Sequence, residues 1–135
     1  MTRHLRIARP VSNLERATRM YCAGLHLSVL SSFRDHDGFD GIMMGLPGAD
    51  YHLEFTTCAH HTTSGTPDPE DLLVFYYPSH SDWKLACSDM SAAGFEPVLA
   101  TNPYWDVRGR TYRDPDGYHV VLQQEVWEPP PCASS

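Results

Sequence analysis

DYHLEF at residues 50–55 and GYHVVL at residues 117–122 are one phrase written twice, each preceded by a turn of Gly, Pro and Asp residues. In both, a strand leaves the turn with Tyr-His, and the first goes on with Leu53 and Phe55 at alternating positions, the period of a half-buried strand. Moving outward, Ala23-Gly24-Leu25 is echoed by Ala93-Gly94-Phe95 at the expected end of a helix. The first half reads as a strand over 5–12 and a helix capped by Asn13 and stopped by Gly24. Strands follow over 27–34 and 39–46, joined by an Asp37-Gly38 turn, and over 51–57. The second half begins with LLVFYYP (72–78) and then places Trp83, Ala86, Cys87 and Met90 at helical spacing before Gly94. Strands at 96–99, 110–113 and 118–124 complete it, with a long aromatic loop after the first of these. A repeat of half the chain implies two modules that each cover one sheet face with a helix. The expectation is a single α+β domain over 1–135, a cupped eight-strand sheet around a cleft. Its parts are a first module (5–58), a linker (59–71), a second module (72–124) and a Pro-rich tail (125–135) that is disordered or draped on the surface.

Charge and composition narrow the function. The 135 residues hold 17 acids against 10 Lys and Arg, a formal net charge of −7, with Lys84 the single lysine. Sequence-independent affinity for nucleic acid needs basic charge, so no nucleic-acid partner is expected. No window approaches 18 apolar residues, and the N-terminus carries no apolar run of signal-peptide length, so neither a membrane partner nor secretion is expected. Cys22, Cys58, Cys87 and Cys132 show no metal-ligand or CxxC spacing, which suits a reduced, cytoplasmic protein. His60-His61 sits in the polar linker and reads as solvated sequence. Met43 and Met44 read as core and rim filler.

VSNLERATRMYCAGLHLSVL (11–30) and GRTYRDPDGYHVVL (109–122) resemble the opening and closing motifs of the vicinal oxygen chelate superfamily, the glyoxalase, bleomycin-resistance and extradiol dioxygenase group. The resemblance runs from Leu5 to about Gln124. The NPYW segment (102–105) looks like that of an uncharacterised single-chain subgroup. The resemblance implies paired strand-helix-three-strand modules, a homodimer, and a divalent metal held by the first and last strands of each module. Carried over by position, the ligand sites fall on Arg6, on Glu54, on Leu73 or Phe75, and on Val121. Only Glu54 is a ligand type, since Arg stays protonated and Leu, Phe and Val offer no lone pair. One carboxylate does not hold a catalytic ion, so no metal and no other cofactor is expected. His4 and His52 share the face of Arg6 and Glu54 and would rescue a metal site only through a register slip.

Strand alternation assigns the cleft. Arg6, Ala8, His52, Glu54, Leu73, Phe75, Tyr77, His119, Val121 and Gln123 are expected on it, with Leu5, Ile7, Leu53, Phe55, Val74, Val120 and Leu122 facing the helices. Tyr104 and Trp105 on the long loop offer flat contact area for a planar ligand, or a plug for an apolar gap. The leading expectation is metal-free binding of a small, partly aromatic molecule, with Arg6, Phe75, Tyr77, Tyr104, Trp105, Val121 and Gln123 as ligand contacts. The alternative is a metal-independent lyase, isomerase or hydrolase in which Glu54, His52 or His119 acts as general base and Arg6 holds an oxyanion. A metal-dependent glyoxalase or dioxygenase is the minor alternative. Arg6 and Glu54 are expected to form a hydrogen-bonded, partly buried ion pair where the metal would sit, with ~3–5 kcal/mol lost if one partner alone is removed.

Overall fold

The computed structural model describes residues 2–62 and 65–129. Its elements run β1 (Leu5–Pro10), α1 (Leu14–Leu25), β2 (Ser28–His36), β3 (Phe39–Gly45), β4 (Tyr51–Cys58), β5 (Leu72–Tyr76), α2 (His80–Ala92), β6 (Glu96–Val98), α3 (Tyr104–Val107), β7 (Gly109–Arg113) and β8 (His119–Gln123). The eight strands form two four-stranded sheets of one design, ordered β1-β4-β3-β2 and β5-β8-β7-β6. In each module the first strand pairs in parallel with the last, while the other neighbours are antiparallel. A parallel pair needs a long crossover, and the helix of each module begins it.

Local chemistry fixes the ends of these elements. The Asn13 side chain accepts the Arg16 amide at 3.0 Å and Ser79 accepts that of Asp82 at 3.3 Å, so both helices start on a side-chain cap. Asp37 and Gly38 both take positive φ (53° and 86°), the geometry of a tight hairpin turn. Gly94 closes α2 with φ of 102°, and the amides of Gly94 and Phe95 return to the carbonyls of Ser91 and Met90. Gly24 behaves differently from expectation. It lies inside α1, and His26 (φ 57°) supplies the left-handed stop. A Cβ on Gly24 would stand 2.8 Å from Met90 Sδ and 3.0 Å from Phe95, so this glycine permits close approach of the two helices. A Cβ on Gly94 would meet Met20 at 3.7 Å. Met90 over Gly24 and Met20 over Gly94 are the two halves of an approximate two-fold contact.

One core serves both modules. Met44, Leu53 and Phe55 from the first sheet join Tyr112, Val120 and Leu122 from the second, with Ala17, Met20, Tyr21, Ala86, Cys87 and Met90 of the helices among them. Tyr21 sits edge-on to Phe55 and Phe95, with ring centroids 4.8 and 5.1 Å away. Its hydroxyl donates to Asp114 Oδ2 at 2.7 Å, tying the first helix to the last turn. Each large apolar side chain buried here is worth about 1.5–3 kcal/mol against exposure.

Two parts of the sequence reading are corrected. The register of β5 on β8 sets Leu73 beside Val120 and Phe75 beside Leu122. Leu73, Phe75 and Tyr77 therefore pack against the core, not on the cleft face, while Val74 shares the outer face with Val121. LLVFY is apolar throughout, so composition could not reveal which alternate set faces inward. The long aromatic loop also contains a helical turn, α3. Val126 and Trp127 beyond β8 are exposed, and the end of the Pro-rich tail, residues 130–135 with Cys132, lies outside the described residues.

Candidate functional site

The outer face of the first sheet carries a chain of four polar side chains. β1 and β4 run in register with Arg6 beside His52 and Ala8 beside Glu54. Arg6 Nε donates to His52 Nε2 at 2.8 Å, and Arg6 Nη1 donates to Glu54 Oε2 at 3.1 Å. His52 Nδ1 is hydrogen-bonded to His4 Nε2. An imidazole nitrogen that accepts from a guanidinium must keep its lone pair, so this geometry holds His52 neutral, with its proton on the Nδ1 side. Burial, Arg6 and His4, in that order, push its pKa below the ordinary value, against a smaller upward pull from Glu54. The Arg6–Glu54 pair expected from the sequence forms and is partly buried. The Arg6 side chain is 48% exposed and that of Glu54 12%. Water screens such a pair, so its own worth is about 1 kcal/mol or less.

The outer face of the second sheet is of another kind. His119, Val121 and Gln123 alternate along β8, with Thr111 of β7 beside Val121. All four are buried. Thr111 Oγ1, His119 Nδ1 and Gln123 Oε1 have no hydrogen-bond partner, a costly state for buried polar atoms and an invitation to a ligand. Gln123 Nε2 donates to Glu125 Oε2 at 3.1 Å. Gly109 stands opposite Gln123, and a Cβ there would collide with both Gln123 Oε1 and the Trp105 carbonyl. Trp105 is half-buried, Tyr104 is exposed, and the two rings meet edge to face at 4.9 Å. A cavity of about 480 Å³ opens between this loop and the sheet, lined by Val98, Leu99, Asp106, Gly109 and Thr111 among others.

Arg6, His52 and Glu54 are thus brought together on one sheet, and His119, Val121, Gln123 and the loop aromatics on the other. Phe75 and Tyr77 join neither group. Sequence reasoning missed Thr111, Tyr76 and Glu125 as outer-face or rim residues. Only the register of β7 and β5 on β8 reveals the first two.

The metal implied by the fold does not fit these residues. The register matches Leu72 to the position of Arg6, since Leu72 pairs with His119 as Arg6 pairs with His52. The four matching positions are then Arg6, Glu54, Leu72 and Val121. Arg6 inserts a permanent positive charge between His52 and Glu54, donating to both. A cation would have to expel it. No group of three or more His, Cys, Asp or Glu side chains among the described residues is placed to hold an ion.

Family models for the YycE-like N-terminal domain and the YycE-like C-terminal domain match residues 5–56 and 70–124. An uncharacterised YycE protein of Bacillus subtilis (strain 168) is 44% identical over 118 residues, covering 87% of this chain and 85% of that protein. The crystal structure of a YycE protein of unknown function from Bacillus subtilis superposes with a TM-score of 0.86 at 40% identity, over 94% of this chain and 93% of that one. Glyoxalase I of Leishmania major follows with a TM-score of 0.71 at 19% identity, over 93% and 88% of the two chains. TnmS3, an antibiotic-binding protein from a Streptomyces species, gives 0.65 at 20% identity, over 93% and 98%. The last two establish the shared fold.

Proposed function

The chain belongs to the YycE-like family, within the vicinal oxygen chelate superfamily, and from that premise we propose that it binds a small, partly aromatic organic molecule without help from a metal. The observation that carries this reading is the Arg6 guanidinium bonded to both His52 and Glu54, which fills the fold's metal position with a fixed charge. The ligand lies against the outer faces of the sheets, where Arg6, His52 and Glu54 recognise polar groups and Tyr104 and Trp105 supply contact area, while Val121 and Gln123, expected as contacts, are buried beneath that face. The antibiotic-binding neighbour of the same fold makes sequestration a natural use for such a face. The protein works in this reading as a homodimer. Arg6, Ala8 and Pro10 are exposed along β1, and a pocket there needs a second wall. No helix among the described residues is long and apolar enough to cross a membrane, and a cytoplasmic site of action is part of the proposal.

A second reading rests on His52. A neutral imidazole serves as general base once a substrate draws the Arg6 guanidinium off its Nε2 lone pair, and the guanidinium is then placed beside it for a developing oxyanion. His119 and Glu54 are the other candidate bases. The experiment that separates the readings is a screen of small organic molecules by thermal shift, followed by mass analysis of each recovered hit. Binding predicts hits returned unchanged, with affinity reduced about tenfold in Arg6→Met or Glu54→Gln, the loss of one charge-assisted hydrogen bond. Conversion of a hit, abolished in His52→Gln, would replace sequestration by catalysis. A library with no hits would sink both.

A further inference from the structure

Building on that ligand-binding reading, we propose that the C-terminal end of β8 forms a subsite for a protonated organic amine, held by Glu125 and Gln123 beside the rings of Tyr76 and Tyr104. Tyr76 is the register partner of Gln123 in the sheet, so the two side chains stand next to each other on the outer face. On the other flank Gly109 has no side chain because the Gln123 side-chain oxygen and the Trp105 carbonyl pack directly against it. The Glu125 carboxylate accepts from the Gln123 amide at 3.1 Å. Gln123 Oε1 is buried and meets no donor. The partly exposed Glu125 carboxylate therefore stands at the surface with the unmet Gln123 oxygen buried behind it, and one of the two Gln123 amide hydrogens holds the carboxylate in place.

Aromatic faces complete the arrangement. Tyr76 is 37% exposed and Tyr104 55%, so both offer ring surface to a ligand. Burial foremost, then Tyr104 and Glu125, raise the Tyr76 phenol above its ordinary pKa, so both groups lie within electrostatic reach of Tyr76. A ring face attracts a cation, and a carboxylate supplies its counter-charge. An ammonium group brings N–H donors to the Glu125 carboxylate and to Gln123 Oε1, the acceptor here that lacks one. A carboxylate or phosphate would face Glu125 and that unmet oxygen, and is disfavoured on both counts.

Benzylammonium chloride and its neutral counterpart benzyl alcohol test this on the full-length chain, with binding followed by NMR through the Trp105 indole and the Gln123 side-chain amide. The expected result is about tenfold tighter binding of benzylammonium at low salt, falling as salt is raised. That preference disappears in Glu125→Gln, weakens in Tyr76→Leu, and persists in Arg6→Met. Equal binding of the two probes, or a preference that survives Glu125→Gln, overturns the subsite. The two failures are distinguishable. A neutral or anionic screening hit sensitive to Arg6→Met, with no preference between the probes, removes the amine subsite and leaves the binding function standing. A preference that obeys Glu125 alongside an empty screen does the reverse.

Discussion

The two sheets turn equivalent faces away from their common core, and the faces are made of opposite materials. On the first, Arg6 and Ala8 are exposed to water, and His4, His52, Arg6 and Glu54 satisfy one another in a continuous chain of hydrogen bonds. On the second, His119, Thr111 and Gln123 are buried, and each leaves a polar atom unmet. Repetition of the chain has preserved the scaffold and divided the chemistry. Charge, already neutralised, stands on one side, and neutral hydrogen-bonding capacity, still unspent, on the other. The inner faces show no such division. Leu53 and Phe55 of the first sheet and Val120 and Leu122 of the second are buried to the same degree in one cluster.

The largest test asks whether the inner faces are as equivalent as they look. Leu53→Ala and Leu122→Ala should each cost about 2–5 kcal/mol, and both variants should unfold in one transition by chemical denaturation. A two-step curve in either would mean that the modules hold separate cores. Tyr21→Phe comes next, with an expected loss of about 1–2 kcal/mol, because Asp114 keeps its buried carboxylate and loses a donor. Burial already raises the Asp114 pKa, against the pull of hydrogen bonds from Tyr21, Tyr118 and Asp116, so the same substitution should raise it further, measurable by NMR titration.

The outer faces give smaller and opposite effects. Thr111→Val removes an unmet hydroxyl from a dry site and should be neutral or stabilise by about 1 kcal/mol in thermal melts. Arg6→Met on the wet face should cost about 1 kcal/mol or less. A large loss from Thr111→Val would reveal a hidden partner and erase the contrast. The smallest effect is a pH dependence. The folded protein holds His52 below its ordinary pKa of 6.5, while the unfolded chain titrates near that value. The unfolded state therefore binds more protons in the interval between the two. Stability should decline as pH falls through about 6.5 toward the depressed folded value, and then level off. His52→Gln should flatten that slope in melts across the range.

These contrasts were unevenly legible in the residues. The repeat of Tyr-His after each turn, the Asn13 cap and the alternation in β4 were enough to find both modules, because each is a local pattern with one physical solution. The Arg6–Glu54 pair was legible because the family resemblance implies that the first and last strands of a module lie side by side. LLVFY was opaque, since a run apolar on both faces carries no parity, and so Phe75 and Tyr77 were assigned to the wrong side. Gly24 was misread for a related reason. A glycine near a helix end suggests a left-handed stop, and only the approach of Met90 shows that its role is to have no side chain. Thr111, Tyr76 and Glu125 gave no signal, as their significance depends on the neighbours that pairing brings.

The hydrogen bond from Tyr21 to Asp114 also bears on ancestry. In the repeat, Tyr21 corresponds to Ser91 and Asp114 to Pro47, so the mirror-image bond does not exist. The helices still meet as near equals, Met90 over Gly24 and Met20 over Gly94, yet this link runs in one direction. Two copies of the first module joined end to end would place a tyrosine opposite a proline at that point and leave its hydroxyl stranded. The halves have ceased to be interchangeable parts. A chain rebuilt with perfect internal symmetry should assemble the same layers and melt earlier than the one that has forgotten its duplication.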